Sequence, residues 1–188
     1  MIGQHDASTV VADAAAQLDA ASGACGMPFS GVLATWNFSA QPGTEASAAA
    51  SSTAHGVTAG AFTRSSTITA MSGSGSINSN NWTTSSQLGA TRYYTLSLGP
   101  PSGCTLDLTS ISIDSKSSST GPSAASIATS ADSFAHVVAV TTNSVSTPTL
   151  SVSGAAASVE LRIYGYAAGG TSGTMRVENT FTVSGSVQ

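Results

Sequence analysis

The stretch Met175-Arg-Val-Glu-Asn-Thr-Phe-Thr-Val-Ser184 is the part of the sequence that decides the fold class. Every second residue from Met175 to Val183 is apolar except Asn179, and the residues between them are polar or charged. Successive side chains of a β-strand point to opposite faces of the sheet, so this alternation predicts a half-buried strand. Asn179 is then the one polar residue that we expect on its core face.

The same two-residue period recurs in the segments 32–38 and 159–166. In the second of these, Glu160, Arg162, Tyr164 and Tyr166 share the face opposite the apolar residues. A two-residue period indicates that one face of each strand is buried, so we expect the apolar residues of these two segments at core positions. The inward residues that it predicts are Val32, Ala34, Trp36, Phe38, Val159, Leu161 and Ile163.

The segment 105–115 changes its apolar parity, from Leu106 and Leu108 to Ile111 and Ile113. A β-bulge near Thr109-Ser110 would keep all four side chains on the core side. Turn-forming stretches rich in Gly, Pro, Ser and Asn separate the periodic runs, and strands with this spacing favour an antiparallel sandwich. The sequence therefore predicts an all-β protein with an antiparallel jelly-roll-like β-sandwich.

The composition is unusually poor in charge. More than half of the residues are Ser, Thr, Ala or Gly, 7% are charged, and the formal net charge is −4. Five basic residues are too few to follow a nucleic-acid backbone, and no apolar stretch approaches the roughly 18 to 20 residues of a membrane span. We therefore expect no nucleic-acid partner and no membrane span. A Ser/Thr-rich surface is typical of exported proteins and of assemblies whose subunits cover one another.

The chain divides into an N-terminal extension, residues 1–30, and a sandwich domain, residues 31–188. The extension holds one weak helix candidate, Ser8–Ala20, and a short strand candidate: Ala7, Ser8, Thr9, Val10, Val11 and Ala12. If that segment forms a strand, it can pair with an open sheet edge of a second copy, and repetition would build a filament. The alternative is that the extension folds back on its own domain.

The two cysteines, Cys25 and Cys104, permit a single pairing. In an exported protein, a bridge that closes a loop of roughly 80 residues would stabilise the fold by about 4 kcal/mol. The alternative is two buried free thiols.

The sequence contains no recognisable catalytic or metal-binding motif. His5, His55 and His136 are far apart, and there is no Gly-x-Ser-x-Gly motif. Asp114 and Asp132 lie at strand ends, where a calcium site and simple solvated carboxylates are the two alternatives. We therefore predict no enzymatic activity, no catalytic residue, no metal site and no cofactor.

Aromatic and charged residues suggest a second kind of site. Trp82 lies between polar residues and is the best candidate for an exposed ring that stacks on a sugar. The pairs Glu160 with Arg162 and Arg176 with Glu178 place opposite charges on strand faces. If the two strands are neighbours, these four side chains would form one network, either a structural charge ladder or a polar ligand-binding face.

Several ordered motifs between residues 31 and 187 resemble the ectodomains of exported bacterial proteins that carry a PEP-CTERM sorting tail. They include Leu33-Ala-Thr-Trp-Asn-Phe-Ser39, Ser119-Thr-Gly-Pro122, Leu161-Arg-Ile-Tyr-Gly-Tyr166 and Arg176-Val-Glu-Asn179. The resemblance implies a jelly-roll-like β-sandwich, export, and association with the cell surface or an exopolysaccharide matrix. The Pro-Glu-Pro motif, apolar segment and basic tail of that family do not occur in the 188 residues.

Together these observations predict a noncatalytic extracellular or cell-surface structural protein, a subunit of a surface filament or biofilm matrix. Its expected partners are further copies of itself and exopolysaccharide. The alternative from a different functional class is a carbohydrate-binding β-sandwich module that uses Trp82.

Overall fold

The computed structural model describes residues 25–26 and 28–188, and this part of the chain is built almost entirely from β-strands. A single 3-10 helix of the described residues, Ser130–Asp132, interrupts them. The strands are β1 (Phe29–Asn37), β2 (Pro42–Gly43), β3 (Ser47–Ala48), β4 (Ser52–Thr53), β5 (Thr58–Ala59), β6 (Phe62–Arg64), β7 (Thr69–Ala70), β8 (Ser76–Asn80), β9 (Tyr93–Gly99), β10 (Leu106–Ser117), β11 (Pro122–Thr129), β12 (Val138–Val140), β13 (Ser144–Ser146), β14 (Thr149–Ala155), β15 (Val159–Ala168) and β16 (Met175–Val187).

The strands form two sheets. Sheet A has β10, β16 and β1 at its centre, β13 and β14 on the free side of β10, and β8 against β16. Sheet B has the order β12-β11-β15-β9-β6-β3, with β5 also on β9. The long neighbouring strands pair antiparallel, and the short pair β2 and β8 is parallel. The predicted all-β sandwich is confirmed.

The connectivity is jelly-roll-like because the chain changes sheet repeatedly. The strands β8, β9, β10 and β11 lie in sheets A, B, A and B in turn, and β15 in sheet B is followed by β16 in sheet A. Each crossing brings residues that are distant in sequence into the same core. The sheets therefore hold each other by many contacts between separate parts of the chain.

A chain of buried aromatic rings fills the space between the sheets. Phe62 of sheet B lies at its centre, with ring centroids 5.2 Å from Phe38, 5.5 Å from Tyr94 and 5.4 Å from Phe181. The contacts with Phe38 and Phe181 are edge-to-face, an arrangement that stabilises a core beyond the burial of ring area. Phe181 belongs to sheet A, so the rings connect the two layers directly.

Two polar side chains also cross between the sheets. The Tyr94 hydroxyl donates to the Met175 carbonyl oxygen at 2.7 Å, and burial raises the pKa of Tyr94 far above its usual range. Arg64 of sheet B donates to the carbonyl oxygens of Gly43, Glu45 and Asn78 and to the Ser79 hydroxyl. Burial lowers the pKa of this guanidinium, and these acceptors satisfy its donors.

The predicted bulge in β10 is confirmed. The register of β10 against both of its neighbours shifts between Leu108 and Ser110. As a result Leu106, Leu108 and Ile111 are all buried. Ile113 is buried as well, so the change of apolar parity in the sequence marks an additional residue in the strand.

The inward position predicted for Val32 is wrong. Val32 is 48% exposed, whereas Leu33 and Ala34 are both buried. The pairing of β1 with β16 shifts between Val32 and Ala34, so a bulge at Leu33 reverses the parity at the start of the strand. Trp36 lies inward as predicted.

The core-side position predicted for Asn179 is also wrong. Asn179 is exposed, has a left-handed backbone with a φ of 54°, and donates from Nδ2 to Asp114 Oδ2 at 2.7 Å. Asn tolerates this conformation better than most residues, so β16 can bulge here. The buried polar residue of this strand is Glu178, while Val177 and Phe181 face the core as predicted.

Replacing Gly165 with Ala should destabilise the fold. An added Cβ would lie 2.8 Å from Pro122 Cγ and 2.9 Å from Trp82 Cε3, where a ring and an indole leave little freedom to move. We expect a loss of about 1–3 kcal/mol in the free energy of unfolding, measured by urea denaturation. Gly170→Ala is the control, since its Cβ would meet nothing closer than 4.0 Å. Equal stability of the two variants would contradict this account of the core.

Candidate functional site

Cys25 and Cys104 form a disulfide, with their Cα atoms 5.3 Å apart. The bridge attaches the segment before β1 to the loop between β9 and β10, across 79 positions of sequence. The pairing expected from the sequence is confirmed, and the alternative of two free thiols is wrong. Disulfides persist in oxidising compartments, so the bond is compatible with a protein outside the cytosol.

The predicted assembly residues, Ala7 to Ala12, lie outside the described residues, as does the helix candidate 8–20. Both stay predictions. Cys25, the first described residue, is joined to Cys104 beside the start of β10.

The exposed position predicted for Trp82 is wrong. Its side chain is fully buried, its ring centroid lies 5.3 Å from that of Tyr94, and Nε1 donates to the Ser79 carbonyl oxygen at 2.8 Å. The polar residues around Trp82 in the sequence belong to a loop that turns the ring inward. A buried ring offers no stacking surface, so Trp82 cannot be a sugar-binding residue in this fold.

The two charged pairs do not form one network. Glu160 and Arg162 lie on β15 in sheet B, whereas Arg176 and Glu178 lie on β16 in sheet A. In sheet A, Lys116 and Arg176 both contact the largely buried Glu178 carboxylate at 2.5 Å. That cluster neutralises a buried charge and joins β10 to β16.

On sheet B, the side chains of Glu160 and Arg162 form a more exposed cluster. Glu160 Oε1 accepts hydrogen bonds from Arg162 Nε at 2.7 Å and from Thr95 Oγ1 at 2.9 Å. Burial alone would raise the pKa of Glu160, but these hydrogen bonds lower it below its usual range. The carboxylate is therefore ionised at neutral pH and paired with the guanidinium.

Aromatic rings surround the same guanidinium. The Arg162 Cζ atom lies 4.4 Å from the ring centroid of Tyr93 and 3.9 Å from that of Phe134. Tyr164 is packed edge-on against Tyr93, with centroids 5.6 Å apart. We call this group of side chains, Tyr93, Phe134, Glu160, Arg162 and Tyr164, the Tyr–Arg cluster.

The second notable feature is the free edge of sheet A. The strands β13 and β14 follow one another along β10, and within the described residues no strand pairs with their other side. The segment 144–155 contains no charged residue, and Val145 is 66% exposed. Natural sheet edges are usually protected by charges, bulges or covering loops. This edge has no charge, and its irregularities are Pro148 and two register shifts in the pairing of β14 with β10.

A groove of about 650 Å³ runs beside β14, between the edges of the two sheets. Its apolar floor includes Ile127 from sheet B and Leu150 and Val152 from sheet A. At its rim, the carboxylate of Asp132 contacts His136 Nδ1 at 2.6 Å, and this contact lowers the pKa of Asp132. We call this feature, with the open side of β14, the edge groove.

No three His, Cys, Asp or Glu residues among residues 25–26 and 28–188 are placed to hold a metal ion. His55 stacks on Phe29 with centroids 4.2 Å apart, and His136 pairs with Asp132. The described residues also form no helix long and apolar enough to cross a bilayer.

Reasoning from the sequence missed Phe134 and the open edge. Phe134 follows Ser133 in a loop, and both residues have left-handed φ values, which no periodic sequence pattern predicts. The one available signal for the edge was the run of uncharged residues from Ser144 to Ala155. Which strand ends at the border of a sheet depends on the order of pairing, and that order is a tertiary property.

Removing the disulfide should lower stability without changing the fold. For Cys25→Ser/Cys104→Ser we expect a loss of about 4 kcal/mol in the free energy of unfolding, because the open chain gains conformational entropy when unfolded. Urea denaturation of the variant and of wild-type protein, each with and without reductant, measures it. A wild-type midpoint that reductant leaves unchanged would contradict the prediction, and the variant itself controls for other effects of the reductant.

No protein-family model fits this sequence, and no curated protein is significantly similar to it. The resemblance to PEP-CTERM ectodomains therefore stays a prediction. The disulfide, the edge groove and the Tyr–Arg cluster are the structural features that bear on the function of this chain.

Proposed function

We propose that this protein is a noncatalytic extracellular structural protein whose copies assemble through the edge groove, as subunits of a surface filament or matrix. The observation that carries the proposal is the open, uncharged edge formed by β13 and β14. An unpaired strand edge presents a row of N–H and C=O groups to any strand that reaches it.

The groove beside β14 gives an added strand an apolar surface as well as hydrogen bonds. Leu150 and Val152 are buried at the floor of the groove, while Ser151 and Ser153 also line it and are exposed. A strand paired with β14 would place alternate side chains beside Leu150 and Val152, where they would be shielded from water. β-Strand addition of this kind derives affinity from the main chain and specificity from such pockets.

The segment Ala7-Ser-Thr-Val-Val-Ala12 suits the role of the donated strand. It has six residues and no charge, and an extended strand of that length spans about 20 Å, close to the length of β14. Twelve residues separate it from Cys25, and a chain of that length reaches up to about 40 Å. Donation to the next copy is therefore geometrically feasible, and head-to-tail repetition produces an open polymer.

The proposal also accounts for the surface chemistry. With 7% charged residues, the protein has little charge repulsion to keep copies apart. The disulfide fixes the base of the extension to the sandwich, so force applied to a donated strand would act on a covalent link. An oxidising extracellular location fits this design.

Electron microscopy and light scattering of the purified chain test the proposal. We expect wild-type protein to form regular polymers. Ser151→Lys/Ser153→Lys should convert them to monomers, because two lysines on the outer side of β14 charge the edge and oppose strand addition. Deletion of residues 1–24 should do the same.

The matched control is Thr84→Lys/Ser86→Lys, which adds the same charge at exposed loop positions between β8 and β9. We expect this variant to polymerise like the wild type. A monodisperse wild-type monomer, or polymers that persist in Ser151→Lys/Ser153→Lys, would overturn the proposal. Circular dichroism melting confirms that each monomeric variant is folded.

A further inference from the structure

The outer face of sheet B differs in chemistry from the rest of the molecule. Three of the four tyrosines of the chain lie on this face together with the Glu160–Arg162 ion pair: Tyr93 and Tyr166 are half-buried, and Tyr164 is buried beneath its neighbours and supports Tyr93. Tyrosine and arginine are the residues most enriched where proteins bind partners, because they combine a large planar surface with polar atoms. A chain that is otherwise rich in small side chains concentrates these groups in one place.

We propose that this face binds a neutral polysaccharide chain, which lies along β15 and contacts the Tyr–Arg cluster. From Glu160 to Tyr166 the outward residues of β15 span six positions, or about 20 Å. A row of that length suits an extended oligosaccharide better than a single sugar. The site is separate from the edge groove, so glycan binding is a further function beside assembly.

The polar groups of the cluster are held in position before any ligand arrives. Thr95 and Arg162 both donate to Glu160 Oε1, and the guanidinium of Arg162 lies over the rings of Tyr93 and Phe134. These contacts fix both side chains in one orientation. The side chains remain 36% and 24% exposed for Glu160 and Arg162, so sugar hydroxyls can reach them.

A shallow trough of about 540 Å³ adjoins Glu160 on the same face. Threonine and serine side chains provide its polar lining: Thr63, Thr95, Ser97, Ser130 and Ser158. Hydroxyl groups both donate and accept, so they match the hydroxyls of a sugar without selecting a charge. The trough therefore extends the binding surface from the ion pair toward β6.

The loop that carries Phe134 holds this ring at the site in a backbone conformation that is energetically unfavourable. Ser133 and Phe134 have φ values of 60° and 63°, in the left-handed region that side chains other than glycine disfavour. Backbone hydrogen bonds fix the turn: Ser133 N donates to Ser130 O, and Phe134 N donates to Thr129 O. Strained residues held in this way cluster at binding sites, and here the result is a ring over Arg162.

The charges of the site select a neutral ligand. One carboxylate balances one guanidinium, so the cluster has no excess positive charge to attract phosphate or uronate groups. The ion pair lies between the aromatic rings. A purely apolar ligand is disfavoured there because it would remove water from both charges without offering them hydrogen bonds. Sugar hydroxyls can hydrogen-bond to both charges, while the C–H faces of a pyranose pack on aromatic rings.

Affinity electrophoresis tests the proposal. Native gels contain dextran, hydroxyethyl cellulose, xyloglucan or glucomannan as neutral probes, and alginate as an anionic probe. The full-length protein carries Ser151→Lys/Ser153→Lys, so that polymerisation does not alter its migration. We expect at least one neutral polysaccharide to retard the protein, and Arg162→Gln and Glu160→Gln each to weaken the apparent affinity at least tenfold.

Two further variants make the result decisive. Arg176→Gln makes the same chemical change in the ion-pair cluster of sheet A and should bind like its parent. Thr63→Trp fills the trough with a ring and leaves Glu160 and Arg162 unsubstituted, so it should weaken binding even if the charge variants fold poorly. Retardation by no neutral polysaccharide, retardation by alginate alone, or equal losses in Arg176→Gln and Arg162→Gln would overturn the proposal.

Discussion

The aromatic contacts that join the two sheets are the interaction on which the rest of this structure depends. More than half of the residues have small side chains, so a few large rings must fill the space between the layers. Phe62 touches Phe38, Tyr94 and Phe181 and thereby connects both sheets. Because interiors are close-packed, the strands that carry these rings cannot shift register without opening cavities. The positions of the outer faces follow from that register.

The strand β15 illustrates how the core determines the surface. Leu161 and Ile163 are fully buried, and the two-residue period then places Glu160 and Arg162 on the outer face, with Tyr164 packed beneath its neighbours there. A binding surface built on such a strand is as rigid as the core beneath it. Rigid placement reduces the entropy lost on binding, which is the physical advantage of a site on a sheet over a site on a loop.

The edge groove and the Tyr–Arg cluster lie on either side of one short segment. The 3-10 helix Ser130–Asp132 contributes Asp132 to the groove rim and Ser130 to the trough, and Phe134 beyond it covers Arg162. Subunit assembly and polysaccharide binding would thus use adjacent but separate surfaces. A matrix protein that joined its own copies and retained a glycan would need this separation, since neither partner should displace the other.

The sequence by itself determined the features that depend on local pattern. The alternation in β15 and the bulge in β10 could be predicted because a pleated strand has a fixed two-residue period. The partners of a disulfide could be predicted because two cysteines, Cys25 and Cys104, can pair in only one way. Only the tertiary structure decided the burial of Trp82, the bulge at Leu33 and the open edge of β14. Each of these features depends on which strand, distant in sequence, packs against the residue or pairs with the strand in question. Such a contact produces no periodic pattern in the sequence.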